Sequence, residues 1–178
     1  MDKRFLKNEK QIKQAILTLL QYKKFPTISV KEICELAECS RNTFYLHYDS
    51  KEHLLDTIIN EIVESIEESC EPVVKDYRQI GRAESKKYTD NILSAIYEHQ
   101  SVIKILLSQE QWYFSQRLVE VLLDASTREA KRLKHPINPS FLVFFMNGVI
   151  GYVLHWLQQD ISLEEAQEEL DNAIHFKF

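Results

Sequence analysis

The sequence predicts an all-α protein, with an N-terminal three-helix domain that holds a helix-turn-helix joined to a C-terminal helical bundle that dimerises. Three observations predict it. Only three Gly and four Pro interrupt 178 residues, of which 44% are hydrophobic, too few breakers for a sheet protein with many turns. Apolar residues recur at helical spacing in one segment after another. Two capped starts, Ser29 with Glu32 and then Ser40, lie close together near the N-terminus, which is the outline of a helix-turn-helix. The length suits one or two domains with a real core, and the motif, at about residues 29–48, places the boundary between residues 1–52 and 53–178.

Taken in order, Ile12, Ala15, Ile16, Leu19 and Leu20 mark a first helix over residues 8–24. Lys3, Arg4 and Lys7 precede it, either as a flexible arm touching a DNA backbone or as solvated surface. Phe25-Pro26-Thr27 ends that helix, because the residue before proline is pushed out of the helical region. Ser29 and Glu32 form a capping box that starts the next helix at Val30, with Val30, Ile33, Cys34 and Ala37 on its buried face. Ser40 then caps a short helix through Arg41, Asn42, Thr43, Phe44, Tyr45 and His47. A helix of about two turns fits the major groove of B-DNA, where base edges show a distinguishable pattern of donors and acceptors. Arg41, Asn42, Thr43 and His47 carry donors of suitable reach. Tyr45 and Tyr48 each carry one rigid hydroxyl, able to meet a phosphate while the ring packs inward, and Phe44 faces the core. Asp49-Ser50-Lys51-Glu52 supplies another capped start, with Asp49 or Ser50 at the cap. There the Lys51 ammonium and free backbone N–H groups are placed to hold a phosphate.

The rest of the chain continues in helices. Leu54, Ile58, Ile62 and Ile66, with Leu55, Ile59 and Val63, stripe one that ends near Glu71-Pro72 and is acidic on its other face. Residues 76–87 are polar, contain Gly81, and predict a loop or a helix break. Helices are expected over residues 88–107 and 109–133, the second ending in Arg128, Lys131, Arg132 and Lys134, which complement a helix C-terminus. Residues 140–158 are the most apolar stretch, shorter than the roughly twenty residues of a membrane helix and interrupted by Asn147 and His155. A helix apolar nearly all round buries both sides; its own body meets one and a partner subunit the other, with Gly148 and Gly151 allowing close approach. Ser162 and Glu165 cap a last helix, residues 163–174, with Leu163, Ala166, Leu170, Ala173 and Ile174 on one face.

The run TISVKEICELAECSRNTFYLHYDSKEHLL, residues 27–55, resembles the N-terminal domain of the TetR family of bacterial transcriptional repressors. That family shows Thr, a helix with Ile and Ala, a turn ending in Ser, then Thr-x-Tyr-x-(Tyr/His)-Phe and Ser-Lys-Glu-x-Leu. The resemblance covers about the first third of the chain. The family usually has Gly-Val where this chain has Glu38-Cys39, so Glu38 is expected in the left-handed conformation that Gly takes freely. The resemblance implies that Thr27, Ser40, Thr43, Tyr45 and Lys51 touch phosphate, and that Arg41, Asn42 and His47 are base-facing. It implies a homodimer on a palindromic operator, with the last two long helices forming a four-helix interface through Phe145, Gly148, Gly151, Tyr152, His155 and Leu170. The helix after the motif would link head to body. A small-molecule effector would bind inside the body, where Tyr88, Tyr97, Trp112, Tyr113 and Phe144 either line a site or are ordinary core. A protein partner in place of the small molecule remains the alternative.

Charge agrees with this reading. The net charge is −5, yet residues 1–56 hold ten Lys/Arg against eight Asp/Glu, leaving 12 against 19 for the remainder. A slightly basic head on an acidic body is compatible with DNA, since only the face against phosphate needs to be positive. Cys34, Cys39 and Cys70 match no zinc spacing and read as reduced, structural thiols in a cytosol, with redox sensing as the alternative. The charged start predicts no secretory leader. No HExxH, GxSxG, P-loop or GxGxxG occurs, so no enzyme, metal or cofactor is expected.

Overall fold

Capped starts and hydrophobic stripes recur along the chain, and each becomes a helix. The computed structural model describes residues 3–70, 81–132, 134 and 138–175, the side chains of 110–113 and 129 aside. Among them are eight α-helices, one 3₁₀ turn and no strand. The first helix, α1 (Lys3–Leu20), buries the expected Ile12, Ala15, Ile16, Leu19 and Leu20. It starts earlier than expected, so Lys3, Arg4 and Lys7 ride on its first turns rather than in an arm. The reason is Phe5, which continues the apolar spacing backwards and packs, tilted, against His47 with ring centroids 3.9 Å apart.

A 3₁₀ turn (Phe25–Thr27) follows, then α2 (Val30–Leu36), α3 (Arg41–His47) and α4 (Lys51–Ser69). All seven stripe residues of α4 are buried, and α4 packs on α1, α5 (Arg82–Glu98) and α6 (Gln100–Arg132). Two expectations need correction here. The polar segment that includes residues 82–87 is helical, because Gly81 leads into α5 with its N–H on the Glu84 carboxylate (3.0 Å) and Arg82 pairs with Asp171 (2.6 Å); residues 76–80 lie outside the described residues. The break between the next two helices falls at His99, not near residue 108. His99 closes α5 by donating its N–H to the Ile96 carbonyl, and opens α6 by accepting from the Val102 and Ile103 N–H groups. Neither Gly nor Pro marks that joint.

The last pair are α7 (Pro139–Trp156), whose first free N–H groups at Ser140 and Phe141 are taken by the Asn138 amide oxygen, and α8 (Leu163–Ile174), with the predicted Ser162–Glu165 box. Helix α7 packs chiefly on α6, and α8 on α5. One apolar cluster runs from Ile12 in α1 to Leu170 in α8, so the helices share one continuous core. Asp171 is buried where α8 packs on α5. A buried carboxylate needs a partner; the Arg82 guanidinium, with His175 on the other side, holds it below the usual range against the opposing effect of burial.

Candidate nucleic-acid interface

The geometry of the motif is set by its caps. The Ser29 hydroxyl accepts the Glu32 N–H while the Glu32 carboxylate takes the Ser29 N–H (2.9 Å), satisfying two donors a helix start leaves open. Lys23 also reaches that carboxylate, and it together with Ser29 pulls Glu32 down to about 2. At the other end, the Cys39 N–H donates to the Cys34 carbonyl (3.0 Å) and the Glu38 N–H to that of Glu35 (3.4 Å). This is a Schellman turn, with Glu38 at φ 51, the left-handed position where the family's usual Gly would sit. Ser40 then accepts the Thr43 N–H (3.0 Å) and its oxygen lies 2.9 Å from the Thr43 hydroxyl. Helix α3 therefore leaves the turn at a defined angle, with Phe44 fully buried beneath it.

What α3 turns outward is polar at its start and mixed beyond. Arg41 and Asn42 are exposed, Tyr45 is 54% exposed and Thr43 half-buried. Thr27 is exposed nearby, its hydroxyl donating to the Lys24 carbonyl (2.8 Å). Leu46, which the sequence reading passed over, is 77% exposed; an apolar side chain on such a face suits a thymine methyl. His47 is half-buried against Phe5, and burial lowers its pKa, the nearby Glu9 opposing. Phe5 was missed as well, although its place seven residues before Ile12 was the available signal.

Two predicted contacts are corrected. Tyr48 is only 4% exposed, and its hydroxyl is buried with no hydrogen-bond partner; burial pushes it up to about 12. It is a core residue between Phe44 and His53, unable to reach a phosphate from there. Lys51 has its ammonium on three carbonyls, those of Phe25 (3.0 Å), Pro26 (3.1 Å) and Ile28 (2.7 Å), 4.7 Å above the Phe25 ring. An ammonium has three donors, and these are turned to the chain's own turn. Lys51 braces the start of α4 against the segment leading into α2. The Gln109 amide, on α6, holds the same region from the body, donating to the Leu20 carbonyl (2.9 Å) and accepting from the Phe25 N–H (3.3 Å). Nothing in the sequence pattern signals that contact.

Of the five aromatics expected around an effector, Tyr97 and Phe144 do not line an enclosed site. Tyr97 is 43% exposed and stacks on Trp156, Phe144 is 78% exposed on the outside of α7, and Tyr88 is half-buried. The side chains of Trp112 and Tyr113 lie outside the described residues. An open polar groove of about 360 Å³ instead lies between α4 and α5, lined by Ser65, Glu68, Ser69, Asn91, Ser94, Ala95 and Glu98. Of the expected interface residues, Gly148, Gly151 and His155 are exposed in line with Phe141 and Phe144, and a Cβ on either glycine would meet open space. Phe145 is half-buried. Tyr152 is tied within the chain, its hydroxyl bonded to the Ala166 carbonyl and the Glu169 carboxylate (both 3.0 Å). Leu170 is 3% exposed and belongs to the chain's own core, because α8 turns its apolar stripe to α5. Helix α7 has the length and composition of a membrane span, but its buried face packs into the body.

No family model matches the chain. It is 23% identical over 158 residues to an uncharacterized HTH-type transcriptional regulator, YxbF, of Bacillus subtilis (strain 168), a match that covers 85% of this chain and 40% of that protein; the chain thus spans less than half of its curated relative. Among solved structures, the TetR transcriptional regulator from Streptococcus agalactiae 2603V is 25% identical with a TM-score of 0.66, covering 97% of this chain and 96% of its own. A transcriptional regulator of the TerR/AcrR family from Aquifex aeolicus VF5 is 24% identical with a TM-score of 0.67, covering 96% and 99%. AibR, solved in complex with isovaleryl coenzyme A and operator DNA, shares the fold at 17% identity and a TM-score of 0.59, covering 93% and 97%.

Proposed function

We propose that this chain, a transcriptional regulator of the TetR type, works as a homodimer that sets two copies of α3 into successive major grooves of a palindromic operator and lets go when the body binds an effector. The observation that carries the reading is α3 itself, a helix capped at Ser40, anchored by Phe44, and exposing Arg41, Asn42 and Tyr45. In this reading Arg41 and Asn42 meet base edges, while Thr27, Ser40, Thr43 and Tyr45 meet phosphate. His47, steadied by Phe5, works at the far end of the helix, and Lys51 positions rather than contacts. The head is residues 1–52, the body residues 53–178, and α4 links them.

The dimer seam of the proposal is the outer face of α7, where Phe141, Phe144, Gly148 and Gly151 form an apolar, close-approach strip that the described residues leave uncovered. A second copy covers it by self-complementarity. AibR supports the effector step by analogy, since that protein was solved with both an acyl coenzyme A and operator DNA. The test is genomic immunoprecipitation of bound fragments followed by footprinting with the purified chain. The expected footprint has two symmetric halves about one helical turn apart or somewhat more. A single unpaired half-site, or no enriched fragment, overturns the reading. A second polypeptide that co-purifies and displaces DNA would replace the small molecule with a protein partner.

A further inference from the structure

The turn between α2 and α3 carries chemistry of its own. Cys34 and Cys39 stand at its two ends, joined by the 3.0 Å bond from the Cys39 N–H to the Cys34 carbonyl, and these are the positions whose side chains meet in a Schellman turn. In most such turns that meeting is an apolar contact. Here both positions carry thiols, close enough that Cys39 bears on the ionisation of Cys34, one buried and one partly open to solvent. We propose that Cys34 and Cys39 form an oxidation site, closing to an intrachain disulfide when a hydroperoxide reaches Cys39, and that closure weakens DNA binding.

The order of events follows from exposure. Burial first, and then the adjacent Cys39, push the Cys34 thiol up to about 11, which leaves it a poor first attacker. Cys39 sulfur attacks the peroxide oxygen, the O–O bond breaks, and the thiol becomes a sulfenic acid while the other oxygen leaves as water or alcohol with the thiol's proton. Cys34 sulfur then displaces the sulfenic hydroxyl, which departs as water with the Cys34 proton. Two thiols lose two electrons and two protons, and the hydroperoxide is reduced to an alcohol and water. Cys70 serves as an internal control, buried with its Sγ on the Ile66 carbonyl at 3.4 Å.

The consequence for α3 follows from sequence adjacency. Cys39 lies between Glu38, already held at φ 51, and Ser40, whose hydroxyl caps α3. A covalent bond draws Cys39 onto Cys34, carries Ser40 off the Thr43 N–H and reorients the helix start that presents Arg41 and Asn42. This half of the inference rests on the DNA reading proposed above; the disulfide does not.

The experiment treats the full reduced chain with hydrogen peroxide, blocks remaining thiols with iodoacetamide, and reads the tryptic peptide of residues 32–41, which contains both cysteines. The expected result is a peptide lighter by two hydrogens and unalkylated, Cys70 alkylated, and a loss of duplex affinity of about tenfold, the size of one base contact, restored by dithiothreitol. Cys39→Ser, with Cys39→Ala as a second variant, should keep its affinity under peroxide. A peptide that stays fully alkylated, or that carries sulfinic acid without a disulfide, overturns the site. A disulfide with unchanged affinity overturns the switch alone. If the reduced chain binds no duplex, the DNA reading fails while the peptide mass still decides the disulfide.

Discussion

In the head, α3 turns Arg41, Asn42 and Tyr45 to solvent from a helix that its own caps hold in place, whereas in the body α7 turns Phe141, Phe144, Gly148 and Gly151 outward with none of the described residues covering them. Both are exposed surfaces, yet they have opposite chemistry. A polar, hydrogen-bonding surface on a braced helix is stable in water while it waits for a polar partner. An apolar strip in line along one helix costs free energy in water until something covers it, and in the proposed dimer a second copy does. The proposed function gives the two surfaces two different partners.

The sharpest way to break that contrast is Phe144→Glu. The side chain is 78% exposed, so the chain should fold with stability changed by no more than about 0.5 kcal/mol. The buried charge should abolish association, and DNA affinity should fall by about 10²-fold or more as the second half-site is lost. A dimer in sedimentation that still binds would move the seam elsewhere. Lys51→Met comes next. Three carbonyls lose a charged donor, so urea unfolding should show a loss of about 1.5–3 kcal/mol. Affinity should fall without a change in the slope against salt; loss of a phosphate contact would reduce that slope by about one.

Glu38→Gly should act in the other direction. It relieves a left-handed residue costing about 1–2 kcal/mol, offset by the ~0.5–1 kcal/mol entropy of glycine, so the thermal midpoint should rise slightly with operator preference intact. The smallest effect is that of pH on His47. Burial lowers its pKa in the folded chain, so below the ordinary value near ~6.5 the unfolded chain takes up a proton that the folded chain refuses. Stability should fall as pH drops from neutrality towards 5, and His47→Phe should flatten that slope in urea titrations.

The head was legible because its determinants are local. Ser29 and Glu32, Ser40 and Thr43, and the strained Glu38 each act within about one turn; the caps stand where spacing placed them, and Glu38 is left-handed as the family resemblance implied. Lys51 was misread because its partners lie 23 to 26 residues away, beyond any local pattern. Tyr48 was misread because a hydroxyl suggested surface while the ring's contacts carried it inward. In the body, the joint at His99 carries no Gly or Pro, and the stripe of α8 gave a buried face without saying whether its own chain or a partner would cover Leu170. Phe144 was misplaced for a related reason, since residue type alone does not tell a side chain on the outer face of α7 from one lining a cavity.

The central claim is that α3 is the reading helix and that two copies read together. Selection of bound duplexes from a random pool, run in parallel for the unchanged chain and for Asn42→Ala, tests it most directly. The account predicts a twofold-symmetric consensus for the first, and for the second a relaxed preference at the same position in both halves. An identical consensus for the two proteins, or one without symmetry, would contradict it.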